Sequence, residues 1–551
     1  MIDAAVIGSG PNGLVAANVL ADHGWRVEVY ERAAVPGGAV RSAEIIEPGF
    51  VSDLFSAFYP LAAVSPVLKA LDLDRWGLRW IRTPLAFAHP LPNGQLAAVA
   101  QTRGQTAQLL GESVPSSHDR WLRFAERWDR VGPRFIAALL SPFPPVRAGA
   151  RLLSGARPAD LAWLARTAIM PVRRFGEEEF EGDEGTQLLL AGSALHTDLT
   201  PETAGSAIFG WLLTGLAQQV GFPVPVGGAG ALTAALVARL RSRGGTVRCG
   251  AEVTQVVVER NRARGLIVDG NEVPVRHAVL ATVTAPALYR SLLCDVPLPT
   301  RIDENITRWQ PSAGTVKVDW ALEQPIPWAD DRLHLAGTVH LADGIDRLSR
   351  YACDLATSTT PTEPFVVLGQ MTTTDPSRSP PGTESAWAYT HVPQEPKGED
   401  GRPTKWTDAA VARVVDRIEA AIERKAPGFR VLVRGRYVQG PVALEQANPN
   451  LIGGDLSAGT TQLHQQLVFR PLPGLARAET PVRALYLGGA SAHPGGGVHG
   501  APGANAARAA LVHARLTRLF RRAGARSQAG SSPQVRSAEP RASRTGDRRA
   551  S

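Results

Sequence analysis

An α/β fold, α+β overall, in two lobes is what this sequence predicts, and three features predict it. A strand, glycine turn, helix and strand open the chain, alternating strand-like runs fill residues 313–395, and a strand, glycine loop and helix close it after residue 484. A length of 551 residues exceeds what one simple core accommodates, which favours two lobes over one. A hydrophobic fraction of 44% with 20% charged residues excludes a collagen-like or globally disordered chain.

The opening unit places Ala4 to Ile7 on a strand, residues of about 12–23 on a helix and Arg26 to Tyr30 on a second strand. From about 105 to 220 the pattern is helical, interrupted by prolines within 142–145. Leu161, Leu164, Ala165, Ala168 and Ile169 there fall at i, i+3, i+4, i+7 and i+8, one apolar face. After Gly227-Gly228-Ala229-Gly230 a helix is expected over about 231–242. Short runs near 246–248, 253–259, 264–268 and 276–282 then read as a small β-rich insertion. The alternation in Thr315-Val316-Lys317-Val318-Asp319-Trp320 and in 386–391 predicts an antiparallel sheet with one covered face. A charged helix at about 406–425 follows, and the chain ends with a strand at 484–487, the glycine loop and a helix at about 502–519.

The net charge of +8 suggests a nucleic-acid partner until it is located. Eight arginines against Glu539 and Asp547 put +6 of it in residues 521–551, a Ser/Gly/Pro/Arg-rich stretch expected to stay unstructured. No nucleic acid is therefore expected. The three cysteines, Cys249, Cys294 and Cys353, form no C-x-x-C and are expected to be small buried thiols, neither a redox dithiol nor a metal site. No metal-ligand spacing occurs, so no metal is expected. The apolar run Ala207 to Ala217 is shorter than the roughly 20 residues a spanning helix needs. The glycine motif begins too close to Met1 to leave room for a signal peptide, so a cytoplasmic protein is expected. Between 132 and 176, Arg134, Arg147, Arg151, Arg157, Arg166, Arg173 and Arg174 interleave with apolar faces, a pattern suited to peripheral contact with a membrane surface.

Gly8-Ser9-Gly10-Pro11-Asn12-Gly13, between strand and helix, carries the first chemistry. Gly8 permits the tight turn, Gly10 lets backbone approach a pyrophosphate, Gly13 allows close helix–strand packing, and the helix start offers amides and a positive dipole end. Glu31, at the end of the second strand, is placed to accept hydrogen bonds from both hydroxyls of an adenosine ribose, and its charge disfavours a 2′-phosphate. Together they indicate a dinucleotide, without deciding between FAD and NAD.

Glu31-Arg32-Ala33-Ala34-Val35-Pro36-Gly37-Gly38-Ala39-Val40-Arg41-Ser42 continues the motif with an E-R-x-x-x-x-G-G pattern. Leu485-Tyr486-Leu487-Gly488-Gly489-Ala490-Ser491-Ala492-His493-Pro494-Gly495-Gly496-Gly497-Val498-His499-Gly500-Ala501-Pro502-Gly503-Ala504-Asn505 closes the chain. Asp375-Pro376-Ser377-Arg378, Tyr389 to Pro393 and Asn448 to Asp455 add shorter matches. By these motifs the chain resembles the phytoene-desaturase-like FAD-dependent oxidoreductases of the carotenoid/retinoid oxidoreductase superfamily over most of residues 1–520. Within it the likeness is greatest to the branch of pyridine nucleotide-disulfide oxidoreductase domain-containing protein 2.

The resemblance implies a Rossmann-like FAD-binding domain of GR2/amine-oxidase-like topology from residues 1–62, 225–290 and 481–520. A mixed β-sheet and helical substrate domain would take 63–224 and 291–480. It implies FAD as cofactor, held by Gly8, Gly10, Pro11, Asn12, Gly13, Glu31, Arg32, Gly37, Gly38, Ala39, Ser42, Gly489, Gly497 and Val498, with Val253 against the adenine. The reaction implied is dehydrogenation, desaturation or isomerisation of a small apolar, isoprenoid or lipid-like substrate. Two rivals share the fold: an amine oxidase, which would need an aromatic cage from residues such as Trp320, Trp387 or Tyr389, and a flavin-binding regulatory protein with little turnover. Among possible acids or bases His391, His493 and His499 are the candidates, since histidine titrates near neutral pH.

Overall fold

In the computed structural model, which describes residues 1–398, 400–529 and 546, the opening unit forms as its pattern requires. Strand β1 (Ile2–Ile7) leads through the glycine turn into helix α1 (Pro11–Ala21) and strand β2 (Val27–Glu31). β1 is apolar at nearly every position because it pairs in parallel on both sides, with β2 and with the strand Asn271–Ala281. The sheet runs Val253–Glu259, Arg262–Val268, Asn271–Ala281, β1, β2, Thr246–Cys249, and Leu485–Leu487 pairs with Asn271–Ala281.

The segment 246–282 is thus no separate insertion. Thr246–Cys249 extends the sheet in parallel beside β2. The strand Asn271–Ala281 spans about 36 Å at ~3.3 Å per residue, long enough to serve two neighbours in turn. Its first residues pair antiparallel with Arg262–Val268 and its later ones in parallel with β1.

A second sheet runs Val433–Gln439, Gly314–Leu322, Glu384–Val392, Val366–Gln370, Ala336–Leu341, Leu85–Pro90, Leu96–Ala100. Its pairs are antiparallel except Ala336–Leu341 with Leu85–Pro90. Here the expectation of one covered face needs correcting, since all nine residues of Gly314–Leu322 are buried. Val316, Val318 and Trp320 pack with Ile418 and Ile422 of the helix Asp408–Lys425. Thr315, Lys317 and Asp319 point the other way, into the interior of the lobe, where they stay polar because they are paired. Lys317 and Asp319 form an ion pair there at 4% and 1% exposure.

Helices from Arg103 to Val220 form the remainder of this lobe. In Pro158–Thr167 the buried residues are Asp160, Leu164 and Thr167, whereas Ile169 is 66% exposed. The buried face is therefore rotated from the expected one, because Asp160 turns inward to meet Arg130 at 3.1 Å. Cys294 and Cys353 are exposed and Cys249 half-buried, against the expectation of buried thiols. Cys353 lies off the buried face of its helix, Ile345–Ala356, which is made by Ile345, Leu348, Tyr351 and Ala352. No helix among the described residues is long and apolar enough to cross a membrane.

Residues Met1–Ala510 form one compact unit and Leu511–Ser551 a second. The last helix, Ala501–Ala529, continues past residue 520, where folded structure was expected to end; Arg, Ala and Gln in this stretch are adequate helix formers. The rest of the basic segment, apart from residue 546, lies outside the described residues.

Candidate cofactor and substrate site

At the first turn, two glycines are explained by the protein itself and one is not. Gly8 has φ +93°, and a Cβ on Gly13 would sit 2.1 Å from the Gly8 carbonyl oxygen. Gly10 has φ −61° and ψ 172°, which any residue adopts, and a Cβ there would meet nothing within 4 Å. Its missing side chain keeps open the space in front of α1, whose start carries no side-chain cap, with Pro11 as its first residue. Asn12 Oδ1 is buried at the same place with no partner among the described residues. An uncapped helix start behind a clear, side-chain-free approach fits a pyrophosphate. The residues present therefore fit a dinucleotide.

Glu31 is anchored beside it. Its Oε2 accepts from Ser9 N (2.9 Å) and Ser9 Oγ (2.6 Å), and its Oε1 from Ala33 N (2.8 Å). A carboxylate has about four acceptor positions, so one on Oε1 is left for a ribose hydroxyl, where the sequence suggested two. The loop after Thr246–Cys249 is tied to the same point: Gly250 N donates to Ala33 O and Ala251 N to Glu31 O, both at 2.9 Å. Half-buried Val253, the first residue of its strand, follows two residues after Ala251. Arg32 is exposed.

The glycine pair closes the other side of the turn. Gly38 has φ +55°, and a Cβ on it would lie 2.9 Å from Gly10 Cα, so the two backbones touch. Gly37 N donates to Ser9 O. Arg41, not singled out from the sequence, is half-buried here, and its Nε has no partner among the described residues. Ser42 serves packing, for its Oγ donates to Asp53 Oδ1 (2.6 Å) and accepts from Gly230 N (3.0 Å). Asp53 in turn pairs at 3.0 Å with Arg378 of the Asp-Pro-Ser-Arg motif, both side chains fully buried.

The closing glycine loop proves to be packed largely against protein. A Cβ on Gly489 would meet Val283 O at 2.6 Å, one on Gly496 Ser457 O at 3.0 Å, and one on Gly503 Asn12 O at 1.9 Å. The last contact sets the start of the final helix directly on the start of α1. Gly497 is exposed and Val498, like Pro494 and Gly496, is half-buried. Arg470, 1% exposed, supports the loop from below by donating to the carbonyls of Ser457, Ala458, Thr460 and Ala490. Burial brings its guanidinium down to about 10.

Two of the candidate histidines, His493 and His499, contact neighbouring backbone. His499 accepts from Ala501 N (3.1 Å) at Nδ1 and lies 3.3 Å from Gly496 O at Nε2. His493 contacts Ser141 O at 3.2 Å. Burial pushes both down to about 4, and it lowers His391 as well. None of the three lines the apolar cavity that includes Ala39. That cavity, about 210 Å³, includes Ala39, next to the glycine pair, and is walled by Phe58, Phe222 and Trp387, with Ser56, His196, Thr338 and Tyr389 as polar members. His196 escaped the sequence reading because, at the end of an apolar helix, it looks like any core histidine. A larger cavity of about 390 Å³ between the helix Asp408–Lys425 and the strand Val433–Gln439 includes none of the cradle residues. Trp320 lies on the far face of its sheet, donating to Glu419 at 3.0 Å, and takes no part.

Comparison with known proteins identifies the family and the fold. The family described as flavin-containing amine oxidoreductase matches residues 12–511. The chain is 28% identical over 549 residues to pyridine nucleotide-disulfide oxidoreductase domain-containing protein 2 of Rattus norvegicus, covering 92% of each. It is 23% identical over 545 residues to the neurosporene-forming phytoene desaturase of Cereibacter sphaeroides, covering 92% of this chain and 94% of the other. Among solved structures an oxidoreductase from Methanosarcina mazei superposes with a TM-score of 0.59 at 16% identity, over 93% of this chain and 100% of that one, a likeness of fold.

Proposed function

The chain belongs to the flavin-containing amine oxidoreductase family and is an FAD-dependent oxidoreductase, and from that premise we propose that it dehydrogenates, desaturates or isomerises an apolar, isoprenoid- or lipid-like substrate. The observation that carries this reading is the cavity at Ala39: its walls are aromatic and aliphatic, and none of the described residues lining it is Asp, Glu, Lys or Arg. The likeness to a phytoene desaturase supports the same substrate class. Bound FAD supplies the hydride acceptor. The chain contributes the rest: α1 and Gly10 receive the pyrophosphate, Glu31 the ribose, and the cavity orients the substrate while excluding water.

Amine oxidation is the second reading, from the family description. Against it, Trp387 and Tyr389 stack on each other with centroids 5.9 Å apart and planes 16° apart. A carbon held between two ring faces needs them about 7 Å apart, twice an optimal carbon–carbon contact.

We also propose that the helix Val146–Gly155 rests on a membrane surface. It has no buried residue, Val146 is 73% and Leu153 65% exposed, and the charged residues of the helix are Arg147 and Arg151.

The test is anaerobic mixing of the FAD-loaded protein with isoprenoid polyenes, fatty-acyl compounds, primary amines and NAD(P)H, following oxidised-flavin absorbance and analysing products by chromatography. Bleaching or isomer formation with the apolar compounds is expected, and slow, unsaturable bleaching with NAD(P)H. Turnover of amines alone would overturn the proposal in favour of amine oxidation, and rapid saturable bleaching by NADH or NADPH would make the protein a reductase.

A further inference from the structure

Three aromatic rings at the cavity form a hydrogen-bonded chain that the proposed reaction has not yet used. The Tyr389 hydroxyl lies 3.2 Å from His196 Nδ1, and His196 Nε2 lies 2.9 Å from His340 Nε2. Tyr389 and His196 line the cavity, while His340 is fully buried behind them. Its Nδ1 has no partner among the described residues and abuts Gly192, where even a Cβ would come within 2.5 Å. Burial takes His196 down to about 3 and His340 well below its ordinary value, so both rings are neutral and each carries one proton.

Two proton arrangements satisfy the chain. In one, His340 donates from Nε2 to His196, His196 donates from Nδ1 to Tyr389, and the Tyr389 hydroxyl hydrogen is released towards the cavity. In the other every bond reverses, Tyr389 offers a lone pair, and His340 must hold an N–H against Gly192 with no acceptor. The first leaves only an unpaired lone pair at that spot. Thr338, 1% exposed, lines the same cavity, and its Oγ1 has no partner among the described residues. Such buried groups are ordinarily hydrogen-bonded.

Resting on the reading of this cavity as the substrate site, we propose that Tyr389, with Thr338, hydrogen-bonds an uncharged oxygen (a hydroxyl, ether or carbonyl) on an otherwise apolar substrate, and that the cavity rejects an ammonium group. His196 and His340 are positioning residues, since they set which way the Tyr389 hydroxyl points. Rejection follows from the uncharged lining: an ammonium entering it would lose its water and find no carboxylate. Lys317, whose Nζ lies 6.0 Å from the centre of the Trp387 ring, is already paired with Asp319 and brings no attraction for a cation.

Toluene, benzyl alcohol and benzylamine at pH 7 are near-isosteric probes of these statements. Isothermal titration of each into the FAD-loaded protein reads binding without turnover when done anaerobically. Benzyl alcohol should bind at least tenfold more tightly than the protonated amine. Tyr389→Phe should lower the preference for benzyl alcohol over toluene by roughly tenfold, the loss of one hydrogen bond, and leave toluene unchanged. His196→Phe should act in the same direction by a smaller factor, and toluene binding by either variant reports an intact cavity. Amine binding as tight as the alcohol, or variants that weaken alcohol and toluene alike, would overturn the proposal while the cavity stands as the substrate site. If none of the three binds the wild-type protein, both the proposal and that assignment fall.

Discussion

Gly10 and Glu31 show how a single residue reports a ligand. Gly10 is neither forced by its backbone angles nor crowded by a neighbour, so the space before α1 is what its missing side chain preserves. Glu31 is fixed by three hydrogen bonds from Ser9 and Ala33, which leave one acceptor position on its Oε1. Glu31→Gln keeps the shape and removes the charge, and it should weaken FAD binding by roughly 1.5–3 kcal/mol, the worth of a hydrogen bond to a charged group. Titration of the apoprotein with FAD, read by quenching of flavin fluorescence, measures this. An affinity equal to that of the wild type would remove Glu31 from the site. The histidines teach the opposite lesson, because residue type alone suggested chemistry for His493 and His499, whereas their contacts are those of a loop and a helix start.

Among the elements, the helix Val146–Gly155 exposes apolar residues and buries none. Val146, Ala150 and Leu153 recur at i, i+4 and i+7, with Arg147 and Arg151 alongside, so the arginine stems can cover apolar surface while their heads reach phosphates. The protein should co-sediment with vesicles containing anionic phosphatidylserine and much less with pure phosphatidylcholine. Leu153→Asp should reduce binding severalfold by placing a charge on the apolar stripe. Joint neutralisation of Arg147, Arg151 and Arg157 should reduce it and abolish its salt dependence, at roughly 1 kcal/mol per arginine near the surface. Absence of binding to anionic vesicles would reject the contact. The alternating strand Gly314–Leu322 gives the complementary case: its two side-chain sets serve two interiors, an apolar one against the helix Asp408–Lys425 and a polar one where Lys317 pairs with Asp319.

For the whole molecule, buried histidines dominate the response to acid. Burial pushes His89, His493 and His499 to about 4 and His196 to about 3, and lowers His340 and His391 as well. All six are neutral in the native protein at pH values where an unfolded chain, with histidine near 6.5, is protonated. Between about pH 4 and 6.5 the unfolded state therefore binds more protons, and stability falls as the pH drops through that window. Asp319, raised to about 6, and Glu384, raised to about 7, act the other way, since the native state retains protons that the unfolded chain has released. Six groups against two leave the sign with the histidines. Thermal denaturation from pH 7 to pH 5 should show a steadily falling Tm. A Tm that holds constant or rises over this range would show that the rings take up protons without unfolding.

Local chemistry was legible in the chain alone: the βαβ unit with its glycine turn, the acidic residue after β2, the E-R-x-x-x-x-G-G pattern and the closing glycine loop. Each depends on neighbours within a few residues, where backbone angles and side-chain volume are dictated by the chain itself. Whatever depends on residues far apart had to await the packed molecule. Packing tied Ala251, two residues before Val253, to Glu31, and rotated Pro158–Thr167 so that Asp160 faces Arg130. It also made Gly503 a contact with Asn12, and brought His196, His340 and Tyr389 from three separate elements into one chain at the cavity. Alternation and periodicity say which side chains share a face, but which partner that face meets is settled only when strands and helices distant in sequence pack together, and the cavity consists of such meetings.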